Sequence, residues 1–307
     1  MLTVFRVGRS QGRQGAPFAE PASMTLTLVS AWNAAKQRLQ TAGVDGPVID
    51  ARLLVEAAAD ATRADIIGEP RRELTDEQAA RLEEFLSRRE RREPISHILG
   101  RKGFWKIMLN VTPHVLTPRP DTETLVEWAL RQYPDGLAFR MLDLGVGSGA
   151  IILSILAERA AAKGLGVDVS EEALAVAREN AANLGLAGKV ALLRGDWTRG
   201  LDDAGFDLVV SNPPYIRSAE IETLDPEVKD YEPRLALDGG LDGLDAYRLL
   251  APEILRVLKP GGRFAVEIGH DQSTNVERLF KATGALEIAT LKDLANRDRV
   301  VVGLKPV

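Results

Sequence analysis

Four consecutive residues, Asn212-Pro213-Pro214-Tyr215, concentrate the chemistry of this chain. Two prolines remove backbone donors and hold the chain rigid, so the Asn212 side-chain oxygen and the Pro213 carbonyl stand as two preset acceptors. An –NH2 group held by both presents its nitrogen to an electrophile, and the Tyr215 ring can cover the planar group it belongs to. An amide or exocyclic amine is a poor nucleophile because its lone pair is delocalised. Acceptors that strengthen as positive charge develops on nitrogen lower the barrier selectively, and positioning supplies much of the remainder. None of this needs histidine or cysteine. The chain has no cysteine and only His97, His114 and His270, which excludes thiol nucleophiles, disulfides and zinc or iron–sulfur clusters, so no metal is expected.

The partner of such a nucleophile is read from a second run, Asp143-Leu144-Gly145-Val146-Gly147-Ser148-Gly149. Its glycines let the backbone turn tightly and approach a ligand. Asp168, about 20 residues on, is placed to accept both ribose hydroxyls of a nucleoside. Gly145-x-Gly147-x-x-Ala150 also satisfies the degenerate dinucleotide pattern, so the loop alone leaves NAD and other nucleoside cofactors open. Two details favour S-adenosyl-L-methionine. Asp143 sets negative charge where a pyrophosphate would lie but where an ammonium and a sulfonium are welcome. Asp196-Trp197 can accept from an adenine amino group and pack on the purine face. The candidate cofactor contacts are Asp143, Gly145, Val146, Gly147, Ser148, Gly149, Asp168, Asp196, Trp197 and Asn212.

These residues need one sheet edge on which to meet. After residue 139 strand-like and helical runs alternate. The predicted strands are Arg140–Leu144, Leu165–Asp168, Val190–Arg194, Asp207–Ser211, Arg263–Ile268, Leu286–Leu291 and Arg299–Leu304. Helical patterns fall at Ala150–Ala162, Ser170–Leu184 and Ala246–Leu258. Such alternation predicts an α/β fold, a parallel sheet with helices on both faces and right-handed crossovers. Only residues 292–298 separate the last two strands, too few for a helical crossover, so that pair is predicted antiparallel. Open sheets of this class bind ligands beyond the carboxyl ends of their strands, where both runs fall.

The length of 307 residues, 45% of them hydrophobic, suggests two domains. From Met24 the text is helical: Ser30–Leu39 and Val48–Ala59 carry apolar residues at three- and four-residue spacing. Thr75 reads as an N-cap with Gln78 in the capping-box position, opening a helix that runs to about Arg92 before Pro94. The span 63–93 holds eight arginines and nine acids, which nearly cancel and read as a solvated helix face. Residues 95–117 mix glycine with aromatic and β-branched residues and predict a β-hairpin linker. Asp121–Thr124 then open a helix through Leu130. The expected domains are therefore a helical part at 24–94, the linker at 95–117 and the chemical domain at 118–307. Residues 1–23, with three arginines and one acid, read as a disordered extension that leaves an organellar transit peptide open. A net charge of −5 does not suggest a general polyanion binder. No apolar run approaches the ~18 residues of a membrane span, and the cysteine-free composition permits a cytoplasmic location.

Asn-Pro-Pro-Tyr after a strand resembles the amino-methyltransferases that use S-adenosylmethionine: DNA adenine-N6 enzymes, rRNA guanine-N2 enzymes and the HemK/PrmC protein-glutamine methyltransferases. Further blocks are similar to the last group. Leu116–Glu123 is similar to its PRPxTE linker, Asp143–Ala150 and Phe206–Ile216 to its core blocks, and Glu232–Leu237 with Gly239–Leu244 to its downstream signature. Pro260-Gly261-Gly262 and Glu267-Ile268-Gly269 do likewise. The resemblance covers 24–307. His97 departs from a position where the family often has an aromatic, and reads as a hairpin packing residue.

The resemblance implies a seven-stranded Rossmann-like class I methyltransferase sheet with an antiparallel last strand, an N-terminal helical bundle and a β-hairpin linker. It implies methylation of the side-chain amide of the glutamine in the Gly-Gly-Gln loop of class I peptide-chain release factors, a modification that modulates translation termination. S-adenosyl-L-homocysteine is the product. Family roles carry over to Asn212, Pro213 and Tyr215 as catalytic residues and to Asn212, Pro213, Pro214 and Tyr215 as substrate contacts. Cofactor contacts fall on Gly145–Gly149, Asp168, Trp197 and Asn212, and the helical part would help hold the release factor. Two other readings stay open. A nucleic-acid amino-methyltransferase would want a basic face that 212–240 lacks, and stable nucleic-acid binding is not expected. A non-catalytic release-factor-binding module is opposed by the intact Asp143, Asp168 and tetrapeptide.

Overall fold

Four helices open the chain in the computed structural model, which describes residues 26–307; the extension expected at 1–23 lies outside the described residues. They are α1 (Leu28–Thr41), α2 (Pro47–Ala58), α3 (Arg63–Gly68) and α4 (Asp76–Glu90). Thr27, Thr62 and Thr75 each start a helix with a reciprocal capping box, of which the sequence predicts the one at Thr75. Leu28, Ala31, Ala35 and Leu39 form one stripe and meet Ala51, Leu54, Val55, Leu82 and Leu86 in a core of their own.

The charged span 63–93 is not wholly a solvated face. Arg89 is buried, its Nε donating to Asp50 Oδ2 at 2.7 Å and its Nη1 to Glu227 Oε1 at 3.0 Å. Both acids lie outside the span, so the charge balance within it does not register the pairing.

The expected hairpin at 95–117 is shorter than its segment. Ile95–Leu99 is a helical turn, α5, begun by Pro94 and stopped by Gly100 in the left-handed region at φ 67°. β1 (Arg101–Phe104) and β2 (Ile107–Asn110) pair antiparallel across Trp105 and Lys106. His97 therefore packs within α5 rather than on the hairpin, buried with neither ring nitrogen hydrogen-bonded.

The large sheet has seven strands: β3 (Arg140–Leu144), β4 (Lys163–Asp168), β5 (Val190–Arg194), β6 (Phe206–Ser211), β7 (Leu258–Glu267), β8 (Leu286–Lys292) and β9 (Asp298–Leu304). Their order is β5-β4-β3-β6-β7-β9-β8. β9 runs antiparallel to both neighbours and the pairs from β5 to β7 are parallel. β7 begins at Leu258 rather than Arg263, because the Lys259–Gly262 stretch stays in the strand with a register shift opposite Phe206 and Leu208.

Both sheet faces are covered, so strand residues of either parity are apolar. Met141, Leu208 and Val210 face α6 (Glu123–Gln132), α7 (Ala150–Glu158) and α8 (Glu171–Asn183). Leu142, Leu144 and Val209 face the other layer. There, after the single turn α9 (Pro226–Lys229), come α10 (Asp245–Val257) and α11 (Ser273–Ala282). The strand order reverses between β3 and β6. Connections leaving these two strands diverge there and open a crevice at their carboxyl ends.

Candidate active site

A cavity of about 410 Å³ occupies that crevice. Its floor is the glycine loop after β3, in which Gly145, Gly147 and Gly149 all take positive φ, a conformation that side chains make costly. The Gly145 and Val146 N–H groups donate to Val167 O at 2.9 and 3.0 Å and tie the loop to β4. Asp168 ends β4 and lines the cavity. Its Oδ2 accepts from Gly147 N at 2.9 Å and its Oδ1 from Ser170 N at 3.0 Å. Each oxygen retains a further lone pair for a ligand hydroxyl. Val146, Ser148, Asp196 and Trp197 also line the cavity, whereas Gly149 does not. Gly149 caps α7 instead.

Asp143 is not at this surface. It is buried, its Oδ2 accepting from Ile152 N at 3.2 Å and its Oδ1 without a partner. Burial pushes its carboxyl up to about 8, against the pull of the Ile152 N–H and with a further push from Asp168. Near pH 7 it is held mostly neutral, so it braces the first turns of α7 rather than offering charge to a ligand. β3 is a central strand, and alternation along it turns residue 143 inward.

At the end of β6, Ser211 Oγ donates to Leu144 O at 2.7 Å and locks the two strand ends together. Asn212 follows and lines the cavity; its Nδ2 donates to Thr122 Oγ1 at 3.5 Å, which leaves Oδ1 as the free acceptor. Pro214 lines the cavity, while Pro213 is buried outside the lining. Tyr215 is turned away: its ring packs on the α10–α11 core and its hydroxyl donates to Glu267 Oε1 at 3.3 Å. Burial and the neighbouring Glu267 raise its pKa, so it stays a donor. The ring is thus drawn into the sheet by its apolar packing and its carboxylate partner, rather than lying over the cavity as expected. Gln272 Nε2 holds the Tyr215 carbonyl at 2.9 Å.

Two segments roof the cavity, and reading residue types along the chain does not bring them together. Pro113–Arg119 and Pro233–Ala236 both line it, joined by Glu232. One oxygen of Glu232 accepts from Arg119 Nη2 at 2.6 Å and the other from Thr117 N at 3.3 Å. Burial raises the Glu232 pKa, with Arg119 and Thr117 opposing. Pro233–Ala236 falls in the block Glu232–Leu237 singled out in the sequence, and only the later part of the first segment, from Leu116, falls in Leu116–Glu123; nothing local says that they touch. Among the described residues no cluster of acids and histidines could hold a metal ion.

Such a site can hold a nucleoside against bare backbone and Asp168, and place an amide against Asn212. Residues 30–100 match the family described as PrmC N-terminal domain, and residues 137–296 the family described as methyltransferase domain. The release factor glutamine methyltransferase of Caulobacter vibrioides is 66% identical over 282 residues, spanning 92% of this chain and 98% of that protein. Proteins of the same name from Rhodospirillum rubrum and Cereibacter sphaeroides are each 44% identical. The first spans 96% of this chain and 90% of its own length, the second 92% and 99%. With both parts of the chain matched and relatives aligned over nearly their full lengths, the chain belongs to the release factor glutamine methyltransferase family.

Proposed function

We propose that this protein transfers a methyl group from S-adenosyl-L-methionine to the side-chain amide N5 of the glutamine in the Gly-Gly-Gln motif of class I peptide-chain release factors. The observation that carries the chemistry is Asn212 at the cavity wall, its amide nitrogen turned to Thr122 and its oxygen free. The residues present fit the cofactor: a glycine backbone cradle, the Asp168 carboxylate for a diol and the Trp197 ring for a purine share one cavity. When bound, S-adenosylmethionine supplies an electrophilic sulfonium methyl. Asn212 Oδ1 is proposed to accept one N–H group of the glutamine amide, and the Pro213 carbonyl the other, although Pro213 itself does not line the cavity. As that nitrogen gains positive charge, both acceptors bind it more strongly, which lowers the barrier; the surplus N–H proton then passes to water, so no dedicated general base is required. Pro214 walls the site, and Tyr215 supports the tetrapeptide from behind.

The helical part, 24–94, is proposed to help hold the release factor, with 95–117 as linker and 118–307 as the transferase domain. A cytoplasmic location suits this partner, and among the described residues no helix is long and apolar enough to cross a membrane. The test is incubation of the protein with S-adenosylmethionine and a class I release factor, then mass spectrometry of the loop peptide. A methyl group on the glutamine supports the reading. Transfer to DNA or RNA instead, with an unmodified loop, reverses it.

A further inference from the structure

Asn180 is 1% exposed, on the face of α8 that also buries Ala173, Val176, Ala177 and Ala181. A buried amide is costly unless its hydrogen bonds are met. Three are met here, by the backbone of two segments far apart in the chain. Oδ1 accepts from Asn110 N at 2.7 Å, while Nδ2 donates to Asn110 O at 3.0 Å and to Ser148 O at 2.9 Å. One N–H faces Oδ1 and two carbonyls face Nδ2, so a single orientation of the amide satisfies all three.

Each partner leads to a different wall of the cavity. Ser148 belongs to the glycine loop and lines the floor. Asn110 ends β2, just before the roof segment Pro113–Arg119. The chain between them is laid on α8 by Val111 and Val115, which pack with Ala173 and Val176. The Asn110 side chain adds a bond from Nδ2 to Glu179 Oε1 at 2.7 Å. Neither Asn110 nor Asn180 lines the cavity itself. The ties from Gly145, Val146 and Gly147 all run to β4, at Val167 and Asp168, whereas Asn180 ties the same loop to the linker.

We infer that Asn180 is a positioning residue, which sets the glycine floor and the Pro113–Arg119 roof at a fixed spacing and through that spacing holds the cofactor and directs the transfer. The inference rests on the reading of this cavity as the S-adenosylmethionine site. One planar amide grips both walls, so a displacement at Asn110 is felt at Ser148 and the reverse. Coupling of this kind is reciprocal: a ligand that orders the floor also orders the start of the roof.

The experiment compares wild type with Asn180→Ala and Asn180→Asp, and with Ala181→Gly as a control that loosens the same helix without removing a hydrogen bond. Asn180→Asp keeps the acceptor for Asn110 N but sets its second oxygen against two carbonyls. All are measured at a temperature where they are folded. Both Asn180 variants should bind S-adenosylmethionine about 10-fold more weakly by calorimetry, the cost of a lost hydrogen bond. At saturating cofactor they should methylate a release factor roughly 10- to 100-fold more slowly, the cost of a displaced wall. Ala181→Gly should melt lower yet bind and transfer as wild type does. Wild-type affinity and rate in a folded Asn180 variant, or equal losses in Ala181→Gly, overturn the inference. Residue-resolved hydrogen exchange on wild type decides the matter if neither Asn180 variant folds. S-adenosylhomocysteine should slow exchange at the Asn110 N–H, outside the cavity, as well as at the Gly147 N–H. Slowing at Gly147 with none at Asn110 sinks the positioning role alone. A wild type that binds no S-adenosylmethionine sinks the reading of the cavity and this inference with it.

Discussion

Gly243 lies against Tyr215 so closely that a Cβ at 243 would stand 2.4 Å from the Tyr215 carbonyl oxygen. Its φ of +76° is also one that side chains rarely take. Gly239 approaches the same residue, and a Cβ there would come within 2.8 Å of Tyr215 Cα. The loop 239–243 is thus a backbone plate behind the tetrapeptide, and Gln272 stitches it by donating to both Tyr215 O and Gly243 O.

Gly243→Ala should therefore act on rate as well as on stability. Strain at a left-handed position costs about 1–3 kcal/mol. Relief of the clash must move the Tyr215 carbonyl, and a displacement of about 1 Å near reacting groups lowers rates on the order of 100-fold. Thermal unfolding and methylation of the release factor read the two effects separately. A variant that melts lower but transfers at the wild-type rate would show that the plate is scaffold only.

Asp168→Ala is expected to weaken S-adenosylmethionine by roughly 1–3 kcal/mol, the cost of an unmet hydrogen-bonding partner. Two effects add here. The ribose hydroxyls would lose the acceptor proposed for them, and the Gly147 and Ser170 N–H groups lose the carboxylate that orders the loop. Titration calorimetry measures the sum, and an affinity equal to wild type removes the ribose assignment.

Local signals made much of this legible in the sequence. The glycine loop, Asp168 and the tetrapeptide each sit where a strand ends, and strand and helix periods are short-range properties. The antiparallel last strand followed from the length of one connection. The cavity roof was not legible as a roof, because Arg119 and Glu232 are far apart in the chain and joined only by the fold. Arg89 hid for the same reason within a charged run. Asp143 and Tyr215 show a different limit. Their chemistry was readable but their direction was not, since packing decided which way Asp143 on β3 and Tyr215 in the loop after β6 turn.

Glu227 clamps the helical part to the segment leading to the roof. It receives Arg92 Nε at 2.7 Å, Arg92 Nη2 at 2.8 Å and Arg89 Nη1 at 3.0 Å. Burial alone would raise its pKa, but the Arg92 and Arg89 hydrogen bonds bring it below the ordinary value. A carboxylate depressed in the native state stabilises above its unfolded pKa, about 4.3, and that contribution fades as pH falls through the native value. Glu227→Gln should lower stability by about 1.5–3 kcal/mol at pH 7, the range of a charged hydrogen bond, and by less near pH 3. Urea midpoints at the two values check this, and an equal deficit at both contradicts the ionic account.

Asp143 has the opposite sign. Its pKa is raised to about 8 by burial, so the native state holds a proton that the unfolded chain, with a pKa of about 3.9, has lost. Its contribution to stability is fully present below that unfolded value and declines as pH rises, ending once the native carboxyl itself ionises. Asparagine has nearly the same shape, keeps an acceptor for Ile152 N and cannot ionise. Asp143→Asn should therefore differ little from wild type near pH 4, become progressively more stable than wild type as pH rises towards about 8, and keep a constant advantage above it. Melting temperatures of both proteins across that range test the claim. A difference that stays constant with pH would mean that Asp143 is already ionised in the fold. Its unpartnered Oδ1 would then mark a buried charge.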